Sequence, residues 1–171
     1  MERGYMKKLY LHIGTAKTGS SALQSFFYLN ADTLEKKGIY YPLEYGGAPI
    51  NQFQLSGGNL GPLVLEKDGH DNELVEAVAK LLEGHDTLLF STEYLWDHFE
   101  ARMGIFEGIH ELDCETEIVV YLRPQVEFIE SMYREAVENL CCVTDELEVF
   151  LEAARMNAEE KRQPLLDAGG G

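Results

Sequence analysis

An α/β fold with a central parallel sheet flanked by helices is predicted by two features: three short apolar runs rich in strand-forming residues, and helical periodicities between them. The runs are KLYLHIG at Lys8–Gly14, TLLFST at Thr87–Thr92 and EIVVYLR at Glu117–Arg123. Continuous apolar strands of this kind suit a parallel sheet buried on both faces. After the first run, Leu23, Phe26, Phe27 and Leu34 recur near helical spacing from Ser20 onward. Gly38 then offers a C-terminal stop, and IYYP at 39–42 reads as a short strand. Asp71 is placed to cap a helix with Leu74, Val75, Val78, Leu81 and Leu82 on one face, closed by Gly84. From Pro124 the pattern is helical to about Asn139. A second helix, capped by Thr144, would carry Leu147, Phe150, Leu151 and Ala154.

The length of 171 residues predicts a single domain spanning 1–171. Within it, 43–70 holds six glycines and two prolines with little periodicity, which suits a lid, a binding loop or a disordered stretch. Residues 158–171, ending in LLDAGGG, read as a flexible tail. The formal charge of −16, from 14 basic and 30 acidic residues, argues against long-range attraction to nucleic acid, anionic membrane or highly sulfated polysaccharide. Any bound anion must be held by local groups. Cys114, Cys141 and Cys142 are an odd set with two adjacent members, which is no basis for a disulfide framework and fits a reducing compartment. No run approaches the length of a membrane span or a signal core, so a cytoplasmic protein is expected.

The most informative stretch is HIGTAKTGSSALQ, His12–Gln24, where the first strand gives way to small polar residues around a lysine. A helix that starts just after a strand presents free backbone N–H groups and the positive end of its dipole, which together receive an anion. Gly14 and Gly19 permit close backbone approach. Thr18, Ser20 and Ser21 add hydroxyls, and Lys17 adds a charge. The two glycines have Walker A spacing, but Ser20 follows Gly19 and the lysine lies inside the loop, which disfavours a nucleoside triphosphatase. A second anion site is legible in VVYLRPQVEFIESMYREAV. There Arg123 ends a predicted strand, Pro124 suits the first turn of a helix, and Ser131 lies two helical turns further on.

Taken together, these segments resemble the sulfotransferases that use 3'-phosphoadenosine 5'-phosphosulfate (PAPS). Their phosphosulfate loop carries Lys-Thr-Gly-Thr/Ser-Thr/Ser, often with Leu-Gln after it in the bacterial branch. Their 3'-phosphate motif has an arginine at a strand end, a serine eight residues on and an aromatic residue after it. Arg123, Ser131 and Tyr133 match that spacing. The resemblance implies a P-loop NTPase-like three-layer fold. It also implies that Lys17 contacts the bridging oxygen of the phosphosulfate, that Thr18, Gly19, Ser20 and Ser21 hold the 5'-phosphate, and that Arg123 and Ser131 hold the 3'-phosphate. It implies PAPS or adenosine 3',5'-bisphosphate as cofactor, no metal, and an acceptor hydroxyl on a small molecule, lipid or sugar.

Two positions depart from the pattern. Ala16 stands where proline is usual, and Ala22 where the cytosolic branch has the aromatic residue that stacks on adenine. The family normally continues well past this length, so the chain is read as C-terminally shortened, with a partner subunit of a homo-oligomer as one source of the missing wall.

Sulfuryl transfer needs a base for the acceptor hydroxyl. Ser91-Thr92-Glu93, at the end of the second run, is similar to a motif of the bacterial branch and makes Glu93 the candidate. A cap of the next helix is the alternative role. His12, inside the first strand, is the weaker contender and reads first as a satisfied core group. His70, His98 and His110 read as surface residues. Tyr94, Trp96 and Phe99 read first as core packing, with an acceptor pocket as the second possibility. Two other functions stay open: a small P-loop kinase, and a non-catalytic module that binds nucleotide or a protein partner.

Overall fold

The computed structural model describes residues 6–46, 58–60 and 71–140. The helix expected from Thr144, the tail at 158–171, His70 and most of the 43–70 loop lie outside them. The chain forms two compact units, one ending at Leu122 and the other beginning at Arg123.

The first unit is an α/β layer structure. Its elements are β1 (Lys8–His12), α1 (Ser20–Leu29), α2 (Ala31–Glu35), α3 (Asp71–Gly84), β2 (Thr87–Ser91), α4 (Tyr94–Asp97), a 3₁₀ turn (Glu100–Arg102), α5 (Met103–His110) and β3 (Glu115–Val119). The strands form a parallel sheet in the order β2-β1-β3, with His12 level with both Ser91 and Val119. All three carboxyl ends therefore open along one rim, the place where open α/β sheets bind ligands.

Burial of Leu9, Leu11, Leu88 and Phe90 against Leu74 and Val78 of α3 and Ile105 and Ile109 of α5 builds the core. The contact between α3 and α5 is close because Gly108 has no side chain: a Cβ there would lie 2.6 Å from Val75 Cγ2. At the amino ends of the strands, Lys7 Nζ donates to the Leu82 carbonyl in the last turn of α3, where the helix dipole favours a cation. Lys8 pairs with Glu115 of β3 at 2.9 Å, which raises its pKa.

Several expectations change. The run after Ser20 is two helices, because Asn30 leaves helical geometry (φ −112°, ψ 15°) and its Nδ2 donates to the Phe26 carbonyl. The Gly38 stop is present: with φ 83°, it is followed by bonds from Gly38 N to Glu35 O and from Ile39 N to Leu34 O, a Schellman closure. IYYP contributes one bridge, Tyr40 to Leu88, not a strand.

β3 begins two residues before its expected start and ends four before its expected end, at Val119, so Arg123 does not close a strand. Nor is β3 buried on both faces, since its burial pattern is mostly exposed and Ile118 is 51% accessible. Alternating glutamates at 115 and 117 make it an edge strand by composition.

The outer flank of β2 is completed by other means. Tyr40 N and O bond Thr87 O and Leu89 N, both at 2.9 Å. Beyond it, the Asn59 side chain accepts from Ser91 N (2.8 Å) and donates to Leu89 O (3.1 Å), while Asn59 N donates to Ser91 O (3.0 Å). Asn59 thus stands in for a strand residue, and with Gly58 and Leu60 it is buried. Gly58 is required there: it has φ 89°, and a Cβ would overlap the Ser91 carbonyl.

The second unit is described over 123–140. Its helix α6 runs Gln125–Leu140, and Phe128 N bonds to the Pro124 carbonyl at 2.9 Å, so Pro124 sits at the cap. Among the described residues, no helix is long and apolar enough to cross a membrane.

Candidate functional site

At the rim of the first unit, β1 ends at His12 and the chain turns through Ile13–Gly19 into α1. Three residues of this turn take positive φ: Gly14 (30°), Lys17 (62°) and Gly19 (88°). For a lysine that conformation is unfavourable by about 1–2 kcal/mol, so the fold holds Lys17 in a strained turn.

The loop is braced internally. Thr18 Oγ1 donates to the Thr15 carbonyl at 2.6 Å, and Thr15 Oγ1 donates to the Tyr121 carbonyl at 3.2 Å. Ser20, buried at the start of α1, donates its hydroxyl to Glu93 Oε1. The hydroxyls of Thr18 and Ser20, both expected to reach an anion, are therefore engaged within the protein. For an anion there remain the Ser20 and Ser21 N–H groups. The first acceptor of α1 is the Gly19 carbonyl, taken by Ala22 and Leu23 at 3.1 Å each, so these two amides have no partner inside the helix.

Glu93 occupies the cap position of α4 but makes no side-chain cap bond to it. Its carboxylate turns instead to Ser20 at the head of α1, and Thr92 Oγ1 accepts the Tyr94 N–H at 3.3 Å. Candidate base and candidate anion loop thus meet at the carboxyl ends of β1 and β2. Past Glu93, Leu95 is buried while Tyr94, Trp96 and Phe99 are exposed, which corrects their reading as core packing.

His12 is also more than a satisfied core group. Its Nδ1 lies 2.7 Å from Ser91 Oγ, but Nε2 is buried without a hydrogen-bond partner. A Cβ on Gly14 would stand 3.1 Å from Nε2, so the loop glycine lies directly against the imidazole. Burial lowers the His12 pKa and keeps the ring neutral. Gln24, one turn into α1, is likewise wholly buried with both amide atoms unpartnered. That His12 and Asn59 each bond to Ser91 was not visible in the sequence, since 79 and 32 residues separate the partners.

The second unit holds Arg123 and Ser131 in one cleft of about 140 Å³, lined also by Glu127, Glu130 and Arg134. Arg123 Nε is 3.3 Å from Glu127 Oε2, and Arg134 is 2.6 Å from Glu130 Oε1. Arg134 was not foreseen. The available signal was its place three residues after Ser131, on the same side of a helix.

Comparison of the chain with protein-family models, with curated proteins and with solved structures gives no match.

Proposed function

We propose that this chain is a sulfotransferase of P-loop-like fold that moves a sulfuryl group from PAPS to a hydroxyl of a small molecule, lipid or sugar. The observation that carries the reading is the hydrogen bond from Ser20 to Glu93, which joins a carboxylate to the head of the lysine loop. In the reaction, the acceptor oxygen attacks sulfur as its proton passes to the Glu93 carboxylate. The bond from sulfur to the 5'-phosphate oxygen breaks, and adenosine 3',5'-bisphosphate leaves. Lys17 and the first N–H groups of α1 offset the charge gathering on that phosphate. By the resemblance, Arg123 and Ser131, which share a cleft within the second unit, are the groups for the 3'-phosphate. The exposed Tyr94, Trp96 and Phe99, next in the chain after Glu93, favour an acceptor with an apolar or ring face.

Calorimetry without added metal tests the nucleotide. Adenosine 3',5'-bisphosphate should bind in preference to ADP and ATP, and a preference for ATP with Mg²⁺ would replace this reading with a kinase. Radiolabelled sulfate transfer from PAPS to a panel of phenols, sugars and lipid alcohols then tests turnover. Lys17→Ala should reduce it by about 10²–10³-fold, and an active Lys17→Ala protein would remove the role given to that ammonium.

A further inference from the structure

We infer that Arg134 is a second guanidinium for the 3'-phosphate of the nucleotide and that Glu127 and Glu130 make the cleft selective for a doubly charged phosphate. This rests on the proposed nucleotide site and adds a specificity-determining residue to it. Ser131 and Arg134 lie three apart on α6, and with Arg123 they line the same cleft. A phosphate monoester presents three oxygens, more than one arginine fork and one hydroxyl satisfy, and a second fork completes the set.

The cleft carries its own counter-charges. Each guanidinium faces a glutamate four residues away, Arg123 toward Glu127 and Arg134 toward Glu130. These side chains are between 36% and 71% accessible, so the pairs are weak and exchangeable. Two cations and two carboxylates sum to no net charge, and a ligand must displace the carboxylates to bind. A dianionic phosphate replaces both negative charges, whereas a neutral 3'-hydroxyl or a singly charged group replaces fewer. The glutamates therefore set a threshold that a nucleotide without the 3'-phosphate does not meet.

The test compares the full chain with its Arg134→Leu, Arg134→Lys and Glu130→Gln forms by calorimetry, using adenosine 3',5'-bisphosphate and adenosine 5'-monophosphate as probes. Arg134→Leu should weaken the bisphosphate about five- to tenfold and leave the monophosphate unchanged, so that the ratio of the two affinities falls. Arg134→Lys should recover part of the loss. Glu130→Gln should tighten the bisphosphate a few-fold, an effect opposite in sign to damage of the fold. An unchanged ratio in Arg134→Leu, or weaker bisphosphate binding in Glu130→Gln, overturns the role of Arg134 while leaving the nucleotide site standing. Equal binding of the two probes by the unaltered chain overturns both.

Discussion

Asn59→Leu isolates the contribution of one side chain to the rim on which the site is built. Leucine is close to asparagine in volume but supplies neither hydrogen bond to β2. The Ser91 N–H, held at 2.8 Å, and the Leu89 carbonyl, held at 3.1 Å, would both lose their partner inside the protein. Leaving a buried polar group unpaired costs about 1–3 kcal/mol, so the pair sums to about 2–6 kcal/mol, a large share of the stability of a domain. The backbone bond from Asn59 N to Ser91 O is untouched, which favours the lower half of that range. Urea unfolding followed by circular dichroism measures it. With a slope of about 2 kcal/mol per molar, a loss of 3 kcal/mol moves the midpoint down by about 1.5 M. Hydrogen exchange should show the Ser91 amide losing protection. A midpoint shift below about 0.3 M with Ser91 protection intact would refute the assignment of Asn59 as a surrogate strand residue.

Three other outcomes are expected. Glu93→Gln should keep bisphosphate affinity within about threefold while slowing sulfate transfer at least 10²-fold, the range usual for loss of a general base. Unchanged turnover would remove Glu93 from the chemistry. Lys17→Gly and Lys17→Ala both lose the lysine side chain and with it transfer, but only glycine takes the left-handed turn without strain, so Lys17→Gly should be the more stable of the two by about 0.5–1 kcal/mol, or ~1–4 °C in Tm; equal Tm values would show that the turn is not strained. The His12 pKa is lowered by burial, so above about pH 6.5 the ring is neutral folded and unfolded, and its titration has no effect. Below that, the unfolded chain takes up a proton that buried His12 refuses, and stability falls with acid by at most ~1.4 kcal/mol per pH unit. His12→Gln should flatten urea midpoints between pH 7 and 5.5; an equally steep profile would place the proton uptake elsewhere.

The α/β class and the first strand, loop and helix were legible because they are local. An apolar run, two glycines and a serine-led helix lie within Lys8–Leu29, and no distant contact is needed to read them. The Ser91-Thr92-Glu93 position was legible for the same reason, but the partner of Glu93 was not: Ser20 lies 73 residues away. β3 was misplaced because EIVVYLR is as apolar as a central strand, while its place at the side of the sheet leaves Ile118 exposed and the strand ends before Tyr121. Periodicity reports what a segment can bury, not what stands beside it. The break at Asn30 was missed because the apolar spacing runs through it. Tyr94 and Trp96 were misjudged because a four-residue helix buries one face only, and Leu95 takes it.

An exposed β-strand is a template onto which another chain can add, and parallel sheets are most at risk while they assemble. On the β2 flank that template is absent. Thr87 O, Leu89 N, Leu89 O, Ser91 N and Ser91 O are all occupied from within the same molecule by a tyrosine backbone and an asparagine. Because these groups are satisfied within the molecule, they offer an added chain no free donor or acceptor. Removing that amide would cost solubility as well as folding energy.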